Sequence, residues 1–258
     1  MVKLNEVDLV FAIDTTGSMG GLLQQAKVYM TDVVRNLSKD FDLDLQVRLV
    51  EYRDHCDPRV TTSTRFMTSF ASLQQEINML RATGGGDIPE AVLDGIKEAS
   101  ESNWRDNAER IIIHIGDAPP HGATGEKMIC KCKLELSEVL RLAEQNAVTV
   151  YSYNISRDRI TTNSFRKIAQ GTGGEVYTSG DNSIMKAIHE LLSDLFSNLE
   201  LQQRILDYFD VHEFESVSDI AKELGTNRIE VMDSIFRMNR RGLLSGKLNE
   251  PQPMELTS

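Results

Sequence analysis

The stretch VDLVFAIDTTGS at positions 7–18 indicates the fold class of this chain. Residues 7–13 form a mostly apolar run rich in β-branched side chains, which is typical of a strand buried on both faces of a parallel sheet. Polar residues and a glycine follow at 14–18, and apolar residues then recur at helical spacing between Leu22 and Leu37. The stretch therefore predicts a strand, a loop and a helix, which together form the first unit of an α/β fold.

The same alternation of strand and helix continues along the chain. Further strands are predicted at 45–52, 110–116, 147–153 and 175–177, with helices at 88–100, 133–145, 163–170 and 181–196. This order predicts a doubly wound, mostly parallel sheet with helices on both faces. Such sheets bind ligands beyond the carboxyl ends of their strands, so the loops at that edge are where we expect the site.

The pattern changes near residue 199. Three short helices are predicted after it, at 201–209, 216–224 and 228–240, with Gly225 suited to the turn between the last two. Together with the extended residues 247–248, this spacing indicates a winged helix-turn-helix. The predicted organisation is an α/β domain at 1–198, a winged-helix domain at 199–250 and a disordered tail at 251–258.

The amino-acid composition limits the kinds of partner that this protein is expected to bind. The 258 residues include 39 acidic and 28 basic side chains, for a net charge of −11. That charge disfavours bulk nucleic-acid binding and an anionic membrane surface as partner. Three cysteines do not suggest a disulfide framework, and no signal peptide or membrane span is evident, so we expect a cytoplasmic protein.

Oxygen-bearing side chains follow several of the predicted strands. Asp14, Thr16 and Ser18 follow the first strand, Asp117 follows the strand at 110–116, and Asp87 lies in a glycine-rich loop before a helix. Helix caps and turns explain each residue when it is taken alone. Their convergence on one edge of a parallel sheet instead favours a site for Mg²⁺, which prefers oxygen ligands.

The sequence resembles the von Willebrand factor type A (vWA) family. DLVFAIDTTGSM resembles the first loop of that family's metal-ion-dependent adhesion site, with Asp14, Thr16 and Ser18 as ligands. HIGDAPPHG resembles its third loop and supplies Asp117. The resemblance covers roughly 5–198. It implies a Rossmann-like fold and a bound Mg²⁺ (or Mn²⁺ or Ca²⁺). It also implies a protein ligand whose Asp or Glu completes the coordination of the ion. It also implies recognition without an enzymatic reaction.

The second loop departs from the family pattern. Gly86 stands where the family usually has a threonine hydroxyl, so Asp87, or less readily Thr83, is expected to substitute as ligand. TGGGDIPEA, together with YRDH at 52–55, resembles the vWA branch found with alpha-kinases and in hemicentin-like proteins.

Other clusters of reactive residues are assigned structural roles. Cys130 and Cys132 are one residue apart with no matching pair, which falls short of structural zinc spacing, so ordinary thiols are expected, with Cys130 on a helix. His114 is expected to be a hydrogen-bonded core residue, and His121 to lie near the metal. The chain has no nucleophile elbow and no P-loop, which leaves a metal-dependent hydrolase as the weakest interpretation.

The last predicted helix is locally basic. Arg228, Arg237, Arg240 and Arg241 are the residues expected to contact a partner or nucleic acid, although 199–258 as a whole has seven basic and eleven acidic side chains. The apolar residues of this helix are expected in its core: Ile229, Met232, Ile235 and Phe236. We therefore expect an adaptor that binds one partner through a metal ion and a second through the winged helix. The alternative is a DNA-binding transcriptional regulator whose vWA domain senses or assembles.

Overall fold

The computed structural model describes residues 4–40, 43–125, 128–178, 184–212 and 216–245. Contacts divide the chain into two compact units, one formed by 5–193 and the other by 194–258 with the first four residues. The sequence places a boundary between 198 and 199, and that boundary stays a prediction. The expected extended segment at 247–248 and the tail at 251–258 lie outside the described residues.

The larger unit is built on one six-stranded sheet. Its strands are β1 (Glu6–Asp14), β2 (Asp44–Tyr52), β3 (Thr61–Ser63), β4 (Glu109–Gly116), β5 (Val148–Asn154) and β6 (Val176–Thr178). They lie in the order β3-β2-β1-β4-β5-β6, and all pairs are parallel except β2 with β3. The predicted mostly parallel sheet is therefore confirmed, and the short antiparallel edge strand β3 is an addition to it.

Helices follow or connect these strands along the chain. They are α1 (Leu23–Asp40), α2 (Phe70–Met79), α3 (Val92–Ser100), α4 (Leu136–Gln145), α5 (Arg159–Gly171) and α6 (Ile184–Val211), and a 3-10 turn at Gly17–Gly21 precedes α1. Helix α2 was not predicted, because only Leu73 and Ile77 of its apolar residues are buried and its periodicity is weak. The helices predicted at 181–196 and 201–209 form one continuous helix, α6.

The centre of the sheet is fully enclosed. Residues 7–14 of β1 are all buried, as the apolar run predicts. His114 of β4 is fully buried and bonded to Tyr52 Oη (2.9 Å) and Ser152 Oγ (3.2 Å), as expected for a core histidine. Burial lowers the pKa of His114 to about 3, because charging the ring there would require removing a cation from water.

The smaller unit contains the end of α6, α7 (Val217–Leu224) and α8 (Arg228–Arg240). Gly225 ends α7 in the left-handed conformation (φ 65°), and Asn227 caps α8, which gives a tight turn between the two helices. One expectation is wrong: Ile229, Met232 and Phe236 are 74%, 54% and 55% exposed, not core. The unit packs instead on another set of buried side chains, which includes Ile205, Ile220, Val231, Met238 and Leu244.

No helix among the described residues is both long and apolar enough to cross a membrane.

Candidate metal centre

Two neighbouring strands place the first and third loops side by side. Asp14 is the last residue of β1, and Asp117 directly follows β4. These strands are parallel neighbours with Ile13 opposite Ile115, so both carboxylates lie at the same edge of the sheet. The chain leaves β1 towards β2 on one side and β4 towards β5 on the other, which makes this edge the switch point of the sheet.

Four of the predicted ligands form one continuous chain of oxygens. Asp14 Oδ1 accepts hydrogen bonds from the Thr16 amide (2.8 Å) and from Thr16 Oγ1 (2.7 Å). Thr16 Oγ1 lies 3.2 Å from Ser18 Oγ, and Ser18 Oγ donates to Asp117 Oδ1 at 3.1 Å. Asp14 and Thr16 are buried, whereas Ser18 is exposed. The structure therefore brings these four residues together, with the first two at the base of the site.

The second loop lies against the first. The Gly17 amide donates to the Gly84 carbonyl at 3.0 Å, which ties the two loops by their backbones. Gly85 has φ of 82°, and a Cβ built on it would lie 3.2 Å from both Glu90 Oε1 and Thr16 Cβ. Glycine is needed here for its conformation and for this close approach. The carboxylate of Glu90 thus reaches the base of the site.

Asp87 lines the same pocket as Ser18, Glu90 and Asp117, but its carboxylate is paired with a lysine. Its side chain is 54% exposed, and Asp87 Oδ1 pairs with Lys131 Nζ at 2.8 Å. The alternative second-loop residue, Thr83, is exposed and donates its amide to the Thr15 carbonyl. Glu90, by contrast, is only 3% exposed. Glu90 was not among the predicted ligands, and the one signal that could have singled it out is its place directly after Pro89 in the same loop.

Three carboxyl groups share this small volume. Burial raises the pKa of Asp14 to about 7. Burial, and then the charges of Asp14 and Asp54, raise the pKa of Glu90 to about 8. Burial also raises the pKa of Asp117. Among the described residues, Asp14 Oδ2 and Glu90 Oε2 are buried without a hydrogen-bond partner. A pair of buried carboxylate oxygens that protein groups leave unsatisfied fits a divalent cation that takes oxygen ligands.

The site is open on one side. A pocket of about 380 Å³ lies over the loops and is lined by residues that include Gly17, Ser18, Gly85, Glu90 and Asp117. The carboxylate and hydroxyl donors suit Mg²⁺, Mn²⁺ or Ca²⁺ better than a soft metal. The arrangement can therefore hold a cation and leave room for a ligand group above it.

His121 contributes to a neighbouring polar cluster. It is buried, and its Nε2 lies 2.6 Å from Asp54 Oδ1, while Lys131 Nζ lies 3.7 Å from Asp54 Oδ2. Asp87 belongs to the same cluster. The ammonium group of Lys131 pairs with both carboxylates, so this cluster already contains a cation of its own.

The four arginines of the small unit have different surroundings. Arg228 is exposed, whereas Arg241 is buried and donates to Gln202 Oε1. Arg237 pairs with Asp233 at 2.8 Å, and the Arg240 guanidinium lies 5.7 Å from the centre of the Phe236 ring. The structure does not present all four as one exposed basic surface.

Comparisons with known proteins agree on the domain type. The von Willebrand factor A domain family matches residues 8–181. The alpha-protein kinase vwkA of Dictyostelium discoideum is 35% identical over 128 residues, which cover 47% of this chain and 20% of that protein. The von Willebrand factor A domain-containing protein 3A of Homo sapiens is 26% identical over 196 residues, covering 75% of this chain and 15% of that protein.

Solved structures agree on the fold. A von Willebrand factor type A structure from Catenulispora acidiphila superposes with a TM-score of 0.56 at 16% identity, covering 74% of this chain and 42% of that one. Proximal thread matrix protein 1 from the mussel byssus, with a zinc-occupied MIDAS motif, gives 0.55 at 18% identity over 74% and 46% of the two chains. At these identities the likeness shows the fold alone.

The shared region is limited in extent. This chain spans 20% or less of the two relatives named above, so their whole-protein activities do not carry over with it. The family match nevertheless covers most of the chain and contains the three loops of the metal centre. The chain belongs to the von Willebrand factor A domain family.

Proposed function

We propose that this protein is a non-enzymatic adaptor whose vWA domain binds a partner protein through a divalent cation, which is Mg²⁺ or, in its place, Mn²⁺ or Ca²⁺. The observation that carries the proposal is the chain of oxygens from Asp14 to Asp117 next to two buried carboxylate oxygens without partners. Because vWA domains are commonly metal-dependent interaction modules, binding accounts for this site without any further chemistry.

The residues of the site differ in burial, and we propose a role for each from its position. Asp14 and Thr16, which are buried, would hold the cation, and Ser18 and Asp117 would hold it from the pocket side. When bound, the ion would supply a positive charge to which an Asp or Glu of the partner can bind. The like charges of the site's own carboxylates disfavour an acidic ligand in the absence of the ion. Partner binding is therefore expected to require the metal.

We assign the second-loop position to Glu90 and not to Asp87. Glu90 is buried beside Thr16, and burial, followed by the nearby charge of Asp14, raises the pKa of its carboxyl. Asp87 is the predicted ligand, but Lys131 neutralises it at the surface. A carboxylate in place of the family's hydroxyl adds negative charge, which would strengthen metal binding and weaken the ion's pull on an acidic partner.

The smaller unit is proposed to be a winged helix that docks a second protein. Ile229, Met232 and Phe236 follow helical spacing on α8 and are exposed, which suits an apolar partner surface better than phosphate. DNA binding by a transcriptional regulator is the alternative, and exposed Arg228 is the residue that favours it. The similarity to vwkA supports the alpha-kinase-associated branch, and the free cysteines suit a cytoplasmic location.

The experiment compares the intact chain with Asp14→Asn, which keeps the shape of the side chain. Partners are captured on each protein in Mg²⁺ and then eluted with EDTA. The proposal expects proteins that elute from wild type with EDTA and are absent from Asp14→Asn, while both proteins keep the same circular dichroism spectrum. Capture that ignores EDTA and the substitution would contradict the ion-bridge mechanism. Phosphoester hydrolysis that Asp14→Asn abolishes would replace it with the hydrolase interpretation.

A further inference from the structure

A second group of side chains that could hold a metal ion shares no residue with the adhesion site. It contains His55 after β2, Asp94 in the first turn of α3, and Cys130 and Cys132 in the loop before α4. One ligand atom from each residue lies within 4.8 Å of all the others. These residues are far apart in sequence, so the fold itself creates the group.

The contacts within the group are close. His55 Nε2 lies 2.7 Å from Cys130 Sγ and 3.2 Å from Asp94 Oδ2. Cys130 Sγ lies 3.1 Å from Asp94 Oδ2, and Cys132 Sγ lies 3.4 Å from Asp94 Oδ1. Both thiols and the imidazole therefore point at one carboxylate. Thiols are weak donors, so hydrogen bonding alone is a poor reason for two of them to converge there.

The backbone of the cysteine loop is shaped to present both sulfurs. The Lys133 amide donates to the Cys130 carbonyl at 2.8 Å, which closes a turn around Cys130 and Cys132. Residues Ile129 and Glu135 form a bridge that pins the base of this turn. Lys133 adopts φ of 72°, a conformation that is unfavourable for a non-glycine residue. Strain of this kind is often found where a loop holds a ligand.

We propose that His55, Asp94, Cys130 and Cys132 bind a structural zinc ion. Two thiolates, an imidazole and a carboxylate form a closed four-ligand set of the kind that holds zinc. A tetrahedral zinc with bonds of about 2.0 to 2.3 Å holds its ligand atoms about 3.3 to 3.8 Å apart. Zinc binding would therefore move the closest pairs of this group, now at 2.7, 3.1 and 3.2 Å, slightly apart. Soft thiolates also exclude Mg²⁺, so the two sites would take different metals.

The zinc would join three separate segments of the chain. It would tie the loop after β2 and the cysteine turn to the start of α3, and α3 follows directly on the second loop that carries Glu90. The nearby cluster of Asp54, Asp87 and His121 is a weaker candidate, because Lys131 already supplies its positive charge. The sequence expectation of ordinary thiols rested on the missing second cysteine pair, and His55 and Asp94 take its place. Cys130 also lies in a turn and not on a helix.

The test measures zinc by mass spectrometry in the full chain, purified under reducing conditions and equilibrated with zinc. All proteins carry Asp14→Asn, because the mussel protein shows that a vWA adhesion site can hold zinc. Cys132→Ser removes an exposed member of the group, and Asp94→Asn removes its carboxylate. Cys56→Ser is the matched control, since Cys56 is an exposed thiol in the same loop as His55 and lies outside the group.

We expect about one zinc per chain in the Asp14→Asn background and with added Cys56→Ser. Added Cys132→Ser or Asp94→Asn should reduce this content to roughly a tenth or less. Cobalt in place of zinc should give thiolate charge-transfer and tetrahedral absorption bands that Cys132→Ser removes. A background protein without zinc, an equal loss with Cys56→Ser, or full zinc retention in both ligand variants would overturn the proposal. None of these outcomes depends on the adhesion site, which Asp14→Asn has already disabled.

Discussion

Replacing Glu90 with glutamine should abolish most of the stabilisation that Mg²⁺ gives this domain. Glutamine keeps the shape of the side chain and removes the charge beside Asp14. The pKa of Glu90 is raised to about 8, chiefly by burial, so at pH 7 the metal-free protein carries this group largely protonated. The substitution therefore resembles the metal-free state, and the melting temperature without metal should scarcely change.

The size of the effect follows from ligand loss at a buried position. Glu90 is 3% exposed, so water cannot readily replace its carboxylate, and a loss of affinity of about 100-fold is expected. With free Mg²⁺ at about 100 times the wild-type Kd, stabilisation should fall from about 2.7 kcal/mol to about 0.4 kcal/mol. For a domain of this size, that corresponds to a Tm shift of roughly 5–10 °C in wild type and about 1–2 °C in the variant.

The assay is thermal unfolding with Mg²⁺ and with EDTA. Asp87→Asn is the matched control, because it removes a carboxylate from the same loop that pairs with Lys131 at the surface. It should keep the full Mg²⁺ shift. The assignment of Glu90 is refuted if Asp87→Asn loses the shift while Glu90→Gln keeps it, since Asp87 would then be the second-loop ligand.

Three further predictions follow from the same structure. Mg²⁺ affinity, measured by titration calorimetry, should rise roughly a hundred-fold or more from pH 6 to pH 8. The reason is that Asp14 and Glu90, whose pKa values are raised to about 7 and 8, must lose protons before they can bind the ion. An affinity that does not change with pH would contradict this prediction. Acid should destabilise the fold through His114, whose pKa is 6.5 in the unfolded chain and about 3 in the folded protein. The stability that the neutral ring contributes is complete above pH 6.5 and is lost towards pH 3, at about 1.4 kcal/mol per pH unit. Denaturant titrations should show a shallower pH slope in His114→Gln, and an unchanged slope would refute the assignment. Gly85→Ala should lower the free energy of unfolding by about 1–2 kcal/mol, because the φ of Gly85 is 82°, and it should also weaken Mg²⁺ binding. Gly20→Ala is the control, since a Cβ at Gly20 would meet nothing within 4 Å, and it should leave metal binding unchanged in the same thermal assay.

Local patterns in the sequence were enough to predict the sheet and most of the site. The buried runs of β1, β4 and β5 are long, apolar and β-branched, so their period and burial predicted parallel strands directly. Because parallel strands end at one edge, the same runs also predicted that Asp14 and Asp117 lie near each other. Short or weakly patterned elements were beyond this reasoning, as the unpredicted helix α2 illustrates.

The choice of second-loop carboxylate and the partners of the cysteine turn required the packed fold. Asp87 and Glu90 are three residues apart in one loop, and only the folded chain shows that Glu90 is buried while Asp87 is 54% exposed. His55 and Asp94 reach Cys130 because the fold brings together the loop after β2, the first turn of α3 and the loop before α4. A sequence records what each residue can ligate, whereas distance in space depends on the packing of segments that share no local pattern. The fold family and the first and third metal-binding loops of this protein could therefore be predicted from its sequence, whereas the second-loop carboxylate and the partners of the cysteine turn were fixed by how its loops pack.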